Sequence, residues 1–186
     1  MKRIVTAACI LLLSGLAAAA EYNVVQPDKS RISFVSKQMG VPVDGAFKKF
    51  SAQLAFDPAK PEAGRAQIDL DLASIDAGST EANDEVKGKG WFNTAQFPTA
   101  RFVSTGVKSL GGGRYEAQGR MTIKGKTRDV VAPFSYRTEG ANAVLEGAIP
   151  VLRLQYGIGE GVWSDTGTVA DEVQVKFHFT LGAAKK

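Results

Sequence analysis

From Ser30 to Leu181 the chain alternates apolar and polar residues in short runs. A period of two sends successive side chains to opposite faces of a strand. Ser30–Lys37 sets Ile32 and Phe34 against Arg31 and Ser33. Phe50, Ala52, Leu54 and Phe56 share one face. Ala66–Ala73 sends Ile68, Leu70 and Leu72 one way and Gln67, Asp69 and Asp71 the other. Ala100–Val107 carries Phe102. Tyr115–Lys124 puts Tyr115, Ala117, Gly119, Met121 and Ile123 on its dry side. Asp129–Arg137 aligns Val130, Ala132, Phe134 and Tyr136. Ala143–Val151 aligns Leu145, Gly147, Ile149 and Val151. Glu172–Leu181 aligns Val173, Val175, Phe177, Phe179 and Leu181. Eight strands are predicted, each apolar on one face.

Glycine and proline punctuate them. Gly40, Pro42 and Gly45 break the first pattern, Asp57–Gly64 reads as a loop, and Leu110–Arg114 reads as a hairpin connection;. Ser79–Lys89 lacks alternation. Its acids come early (Glu81, Asp84, Glu85), its lysines come late (Lys87, Lys89), and Gly88 and Gly90 close it. That order complements a helix dipole, and one short helix is predicted there. It runs into Trp91-Phe92 and Phe97-Pro98, where proline sets a boundary before the next strand. Aromatics crowded at such a boundary either anchor a loop to the core or rim a cavity.

Clean alternation over sequential strands predicts an all-β, antiparallel sheet with one wet face. Eight such strands bury their dry faces as a sandwich or as a closed barrel, which also removes exposed edges. An eight-stranded barrel is filled by side chains or holds one elongated ligand. Small dry-face residues, Ala52, Ala117, Gly119, Ala132 and Gly147, favour a cavity.

The first twenty residues change the picture of where the chain works. Lys2 and Arg3 precede an apolar run from Ile4 to Leu16, and Ala18-Ala19-Ala20 precedes Glu21. Those are the three parts of a secretory leader. The expectation is a leader at 1–20, cleaved on export to the periplasm, and a single domain at 21–186 with no membrane span. The one cysteine, Cys9, lies in the leader, so the exported chain has no thiol chemistry and no disulfide;. Loss of two basic residues leaves 21 against 19 acids, so the net charge falls from +4 to +2. Such balance, with dispersed lysines, argues against nucleic acid as partner. The sequence leaves a homodimer open.

Candidate chemistry is sparse. His178 is the single histidine and lies on a wet face, so a serine–histidine triad or a histidine zinc site is unavailable;. Asp69 and Asp71 read as a solvated strand face. Glu81, Asp84 and Glu85 match no calcium-loop spacing and read as a solvated helix face. The glycines of Tyr156–Trp163 (YGIGEGVW) lack the lysine and following helix of a phosphate loop and read as a flexible loop;. Arg153, beside Tyr156, is either a surface arginine or a partner for an anionic head group.

An ordered series of motifs spans Tyr22 to Leu181. It comprises Gly45-Ala46-Phe47 with Phe50, Phe56-Asp57, Ala73-Ser74-Ile75-Asp76, Trp91-Phe92-Asn93, Phe97-Pro98 and Phe102-Val103-Ser104. It continues with Met121-Thr122-Ile123-Lys124-Gly125, Arg153 with Tyr156-Gly157-Ile158, and Asp171-Glu172-Val173. In this series the chain resembles the YceI-like family of exported lipid- or polyisoprenoid-binding proteins. The resemblance implies a lipocalin-like barrel with a helix near one end, an interior that holds a long isoprenoid or fatty chain, and no catalysis. The sequence departs from the family pattern in having no histidine around Gln38, after Val86 or at Lys124. Gln155 stands where aspartate is common, and Trp91 where phenylalanine is usual.

On that reading the ligand is a long-chain amphiphile, and no cofactor is expected beyond a bound isoprenoid or fatty-acid lipid. Phe34, Ile68, Leu70, Leu72, Phe102, Met121, Phe134, Tyr136 and Phe177 are expected to line the cavity. Trp91, Phe92 and Phe97 are expected to guard its mouth, with Arg153 at the head group. The competing readings are a ligand-free, filled barrel used for interaction or stress response, and an enzyme on lipid substrates. The enzyme requires inward polar groups that the alternation does not provide.

Overall fold

The computed structural model describes residues 21–184, so the leader expected at 1–20 lies outside the described residues. Strands form where the alternation places them, but there are eleven among the described residues rather than eight. They are β1 (Tyr22–Val25), β2 (Arg31–Gln38), β3 (Val41–Phe47), β4 (Phe50–Ala55), β5 (Arg65–Asp71), β6 (Ile75–Asp76), β7 (Thr99–Gly111), β8 (Arg114–Ile123), β9 (Lys126–Glu139), β10 (Asn142–Leu152) and β11 (Glu172–Ala183). β1 and β6 are too short to show a period. β3 contains Pro42 and Gly45, which read as breakers. Pro42 is tolerated because that stretch of β3 pairs only with β2;. Gly45 is tolerated because the Phe34 ring, directly opposite in β2, covers it so closely that a Cβ would sit 2.1 Å away.

The sheet is antiparallel and runs in the order β4-β5-β7-β8-β9-β10-β11-β2-β3-β6. It curls on itself as a twisted sheet of this width does. β1 closes one end: it pairs with the tail of β11, and Tyr22 and Phe56 exchange backbone hydrogen bonds of 2.9 and 3.0 Å beyond β4. The result is the all-β, lipocalin-like architecture. β8 shows how directly pattern becomes burial, since Tyr115, Ala117, Gly119, Met121 and Ile123 are all buried. Leu72 stands one residue past β5 in a 3-10 turn, yet its side chain is 1% exposed.

The closed end is plugged by aromatic rings. Phe56 lies 5.0 Å from Tyr115, 5.6 Å from Phe134 and 5.5 Å from Tyr136, all tilted or edge-on. At the opposite end lies α1 (Thr80–Lys87), within the predicted range. Ser79 caps it by accepting a 3.1 Å bond from the Ala82 amide, and it stops at Gly88. His178, expected as a plain surface residue, is instead half-buried. Its Nδ1 is 2.5 Å from Glu146 Oε1, and Glu146 also pairs with Arg137.

Candidate functional site

The barrel interior is not filled. A chamber of about 230 Å³ opens at the helix end, and a second of about 100 Å³ lies toward the plugged end. Both are walled almost wholly by apolar atoms. Phe34, Ile68, Leu70 and Phe177 face inward yet are only partly buried. Inward residues with that much free surface border empty space, because a packed interior would cover them.

The mouth is assembled from three segments. α1 turns Ala82 and Val86 toward the chamber. The turns after α1 bring in Trp91 and Phe92. Phe92 packs edge-on against Phe47 at 6.4 Å, and Phe47 in turn lies 5.6 Å from Phe34. The third segment is the glycine-rich loop after β10, which supplies Ile158 and Trp163. The segments are tied together. Glu85 of α1 accepts from the Trp163 indole at 2.7 Å and from the Trp91 indole at 3.2 Å, and the two rings lie 5.7 Å apart. The amides of Gly159 and Glu160 both donate to the Gly90 carbonyl at 2.9 and 2.8 Å. Lys124 donates to the Lys89 and Gly157 carbonyls at 3.1 and 2.5 Å and pairs with Glu160 at 3.1 Å. Two sequence readings are corrected here. Glu85 does not simply face solvent, and the glycine-rich loop is not loose.

Arg153 organises that loop. It is 2% exposed. Nε donates to Ala170 at 3.0 Å, Nη1 to Ile158 and Gly159 at 2.9 and 3.0 Å, and Nη2 to Trp163 and Val169 at 2.7 Å each. All five acceptors are backbone carbonyls, and all five donors of a guanidinium are used. Burial pulls its pKa down, and the Asp171 carboxylate opposes that effect. Its charge also lies 5.7 Å from the centre of the Trp91 ring;. Gly159 is required beside it: φ is +76°, and a Cβ would meet Nη1 at 2.2 Å;. Arg153 is therefore not a surface residue. It touches the chamber wall but keeps no donor for an anionic head group.

Of the residues expected to line a cavity, Phe34, Ile68, Leu70, Leu72, Phe102 and Met121 wall the mouth chamber, with Trp91 and Phe92 at its opening. Phe134 and Phe177 wall the inner chamber. Phe97 sits elsewhere, with its ring over Gly125 in the β8–β9 turn. Tyr136 belongs to the aromatic plug and lines neither chamber. Trp163 and Val86 were missed. Each lies in a segment without strand period, Val86 between Glu85 and Lys87 and Trp163 next to Val162 in the glycine-rich loop, so alternation gives no sign of its direction. Among the described residues, no three His, Cys, Asp or Glu side chains converge as a metal site. No helix among them is long and apolar enough to cross a membrane.

Fold and site together define a small antiparallel barrel that encloses an apolar chamber behind a helix-and-tryptophan mouth. The chain matches the YceI-like domain over residues 23–181 and belongs to that family. A UPF0312 protein of Azotobacter vinelandii is 31% identical over 173 residues, covering 89% of this chain and 88% of that protein. One of Ectopseudomonas mendocina is 33% identical over 131 residues, covering 69% of each chain. Among solved structures, BcnA of Burkholderia cenocepacia is 48% identical with a TM-score of 0.82, covering 84% of this chain and 98% of that one. A polyisoprenoid-binding domain from Saccharophagus degradans, implicated in plant cell wall breakdown, has a TM-score of 0.66 at 17% identity, covering 90% and 100% of the two chains. At that identity it shows the shared fold.

Proposed function

We propose that this protein is an exported binding protein for a long-chain amphiphile, an isoprenoid, isoprenoid quinone or fatty-acid type lipid, whose apolar tail enters the chamber. The observation that carries the reading is the unfilled, apolar mouth chamber of about 230 Å³. Each methylene buried there contributes roughly 0.8 kcal/mol, so a tail binds well without a dedicated polar site. This suits a mouth whose arginine is already saturated. The solved polyisoprenoid-binding domain of the same fold supports the ligand class. Binding rather than catalysis fits walls with so few polar atoms.

Trp91 and Trp163 are the chain's two tryptophans, and both stand at the mouth. Intrinsic fluorescence therefore reads ligand entry directly. Titration with fatty acids and isoprenoid quinones is expected to shift the emission saturably, and extraction of protein from its own host to yield lipid. Lipid-free protein that takes up neither ligand class would overturn the proposal. Export is tested separately: protein from the periplasmic fraction is expected to begin near Glu21.

A further inference from the structure

The apolar side chains that this fold leaves most open to water stand at the mouth. Among the described residues Val162, Met39 and Val41 are the three most exposed large apolar residues, at 84, 80 and 63%, and the next, Val131, is at 47%. Val162 precedes Trp163, whose side chain lines the opening. Met39 and Val41 belong to the hairpin tip between β2 and β3, and Gln38 and Val43 of that hairpin line the mouth chamber. The two tips are tied together. Gln38 bridges Val169, the Met39 amide donates to the Thr168 carbonyl at 2.9 Å, and the Ala170 amide donates to the Lys37 carbonyl at 2.9 Å. Val41 pairs directly with Gln38, so the two share the inward face of the hairpin;. Its exposure means that the apolar wall of the chamber continues past the opening into solvent.

Local folding does not call for these residues. Met39 and Gly40 form a two-residue turn between paired strands, with φ of +48° and +80°. Such a turn favours asparagine or glycine in its first place, and a long apolar side chain there is strained. Neither tip carries a charge, in a chain where 23% of residues do: Gln38–Pro42 and Gly161–Ser164 hold none, and Lys37, Asp44, Glu160 and Asp165 stand just behind them. We infer that the two tips insert into a lipid bilayer, so that the mouth opens onto the membrane from which the amphiphile is drawn. The inference rests on the amphiphile reading above and adds the surface on which it operates. Two small tips suit a fluid surface that closes around them better than a protein partner, which needs a face of roughly 800 Å². Trp163, beside Val162, is the residue type that settles at a membrane–water interface. Three inserted side chains amount to about one acyl anchor, an association constant on the order of 10⁴ M⁻¹. Binding of that strength is reversible, as a carrier requires. The charges behind the tips are one basic against three acidic, so anionic lipid offers no added attraction.

The test is vesicle flotation. Protein is mixed with phosphatidylcholine vesicles, with and without phosphatidylglycerol, at millimolar lipid. Wild type is expected to float with both, and added salt to leave it bound. Met39→Asn suits the turn, so it should keep or raise the urea midpoint while lowering the partition coefficient about ten-fold. Val162→Ser should lower it by a similar factor, and the two together about a hundred-fold. All three variants should take up isoprenoid quinone from detergent solution as wild type does, but draw it more slowly from loaded vesicles. Wild type that floats with neither vesicle, or folded variants that float as wild type does, overturns the docking surface and leaves the amphiphile reading intact. So does flotation that requires phosphatidylglycerol and disappears in salt. A wild type that is dimeric by size exclusion, with monomeric variants, seats the tips on a second copy and overturns the bilayer as partner. Flotation that the variants weaken, with no quinone or fatty acid taken up from any source, overturns the amphiphile reading alone.

Discussion

At the scale of single residues, Arg153 shows the gap between what a sequence signals and what a structure does with it. A basic residue at a strand end is ordinarily solvated, and nothing in the neighbouring letters says that five carbonyls will turn toward it. Those carbonyls come from residues 158 to 170, brought together only when the loop folds around the guanidinium. Lysine keeps the charge but offers three donors, so Arg153→Lys leaves at least two buried acceptors unpaired. A loss of about 3 kcal/mol or more is expected in urea unfolding, where a surface arginine would give almost none. Tyr136 gives a second prediction. Burial first, and then its neighbours Tyr22 and Tyr115, push its pKa up to about 12. An unfolded tyrosine titrates near about 10. The folded state holds this proton more tightly, so stability is intact below pH of about 10 and falls as pH rises toward about 12. Burial raises Tyr156 as well. Tyr136→Phe should therefore flatten, without abolishing, the decline in urea midpoint between pH of about 10 and 12;. An unchanged slope would show that Tyr136 ionises as freely in the folded state as in the unfolded one.

Single elements were most readable where one face is dry and the other wet. β8 met that condition along its whole length, and β11 only in part, since its outward His178 is half-buried and its Thr180 buried. β3 did not, because its glycine is filled by a ring from β2 and its proline sits where no second strand pairs. Both facts belong to the partner strand and not to β3's own letters. α1 was legible from its charges and glycines, although its role was not, because Glu85 finds its indole partners 6 and 78 residues away. The helix is short and has no fully buried residue, so it depends on its cap and this clamp. Ser79→Ala is expected to cost about 1 kcal/mol of local stability. It should appear as faster amide exchange in residues 80–87 with little change elsewhere. Glu85→Ala should shift tryptophan emission to the red by freeing both indoles, with the global unfolding midpoint nearly unchanged. A large drop in that midpoint would mean that the mouth and the barrel unfold as one unit.

For the whole molecule, period alone could not choose between a filled and a hollow barrel, because both present the same alternation. The difference lies in volumes summed across strands distant in sequence: a ring on one strand over a glycine on the next, repeated at Phe34, Phe102 and Phe177. Closure was equally hidden. β1 has only four residues, yet it joins the tail of β11 to the end of β4 and sets Tyr22 into the aromatic plug, 6.2 Å from Tyr136. If that seam holds the barrel shut, Tyr22 contributes at two levels, through ring packing and through the strand it anchors. Tyr22→Phe keeps the ring and should lie within about 1 kcal/mol of wild type. Tyr22→Ala removes the ring and should cost about 3 kcal/mol or more in urea unfolding. It should also expose the amides of Val24 and Val25, and those of β11 from Leu181 onward, to exchange. Exchange confined to Tyr22 itself would mean that the strand stays docked without its ring, and that closure rests on the backbone pairing of β1 with β11 alone.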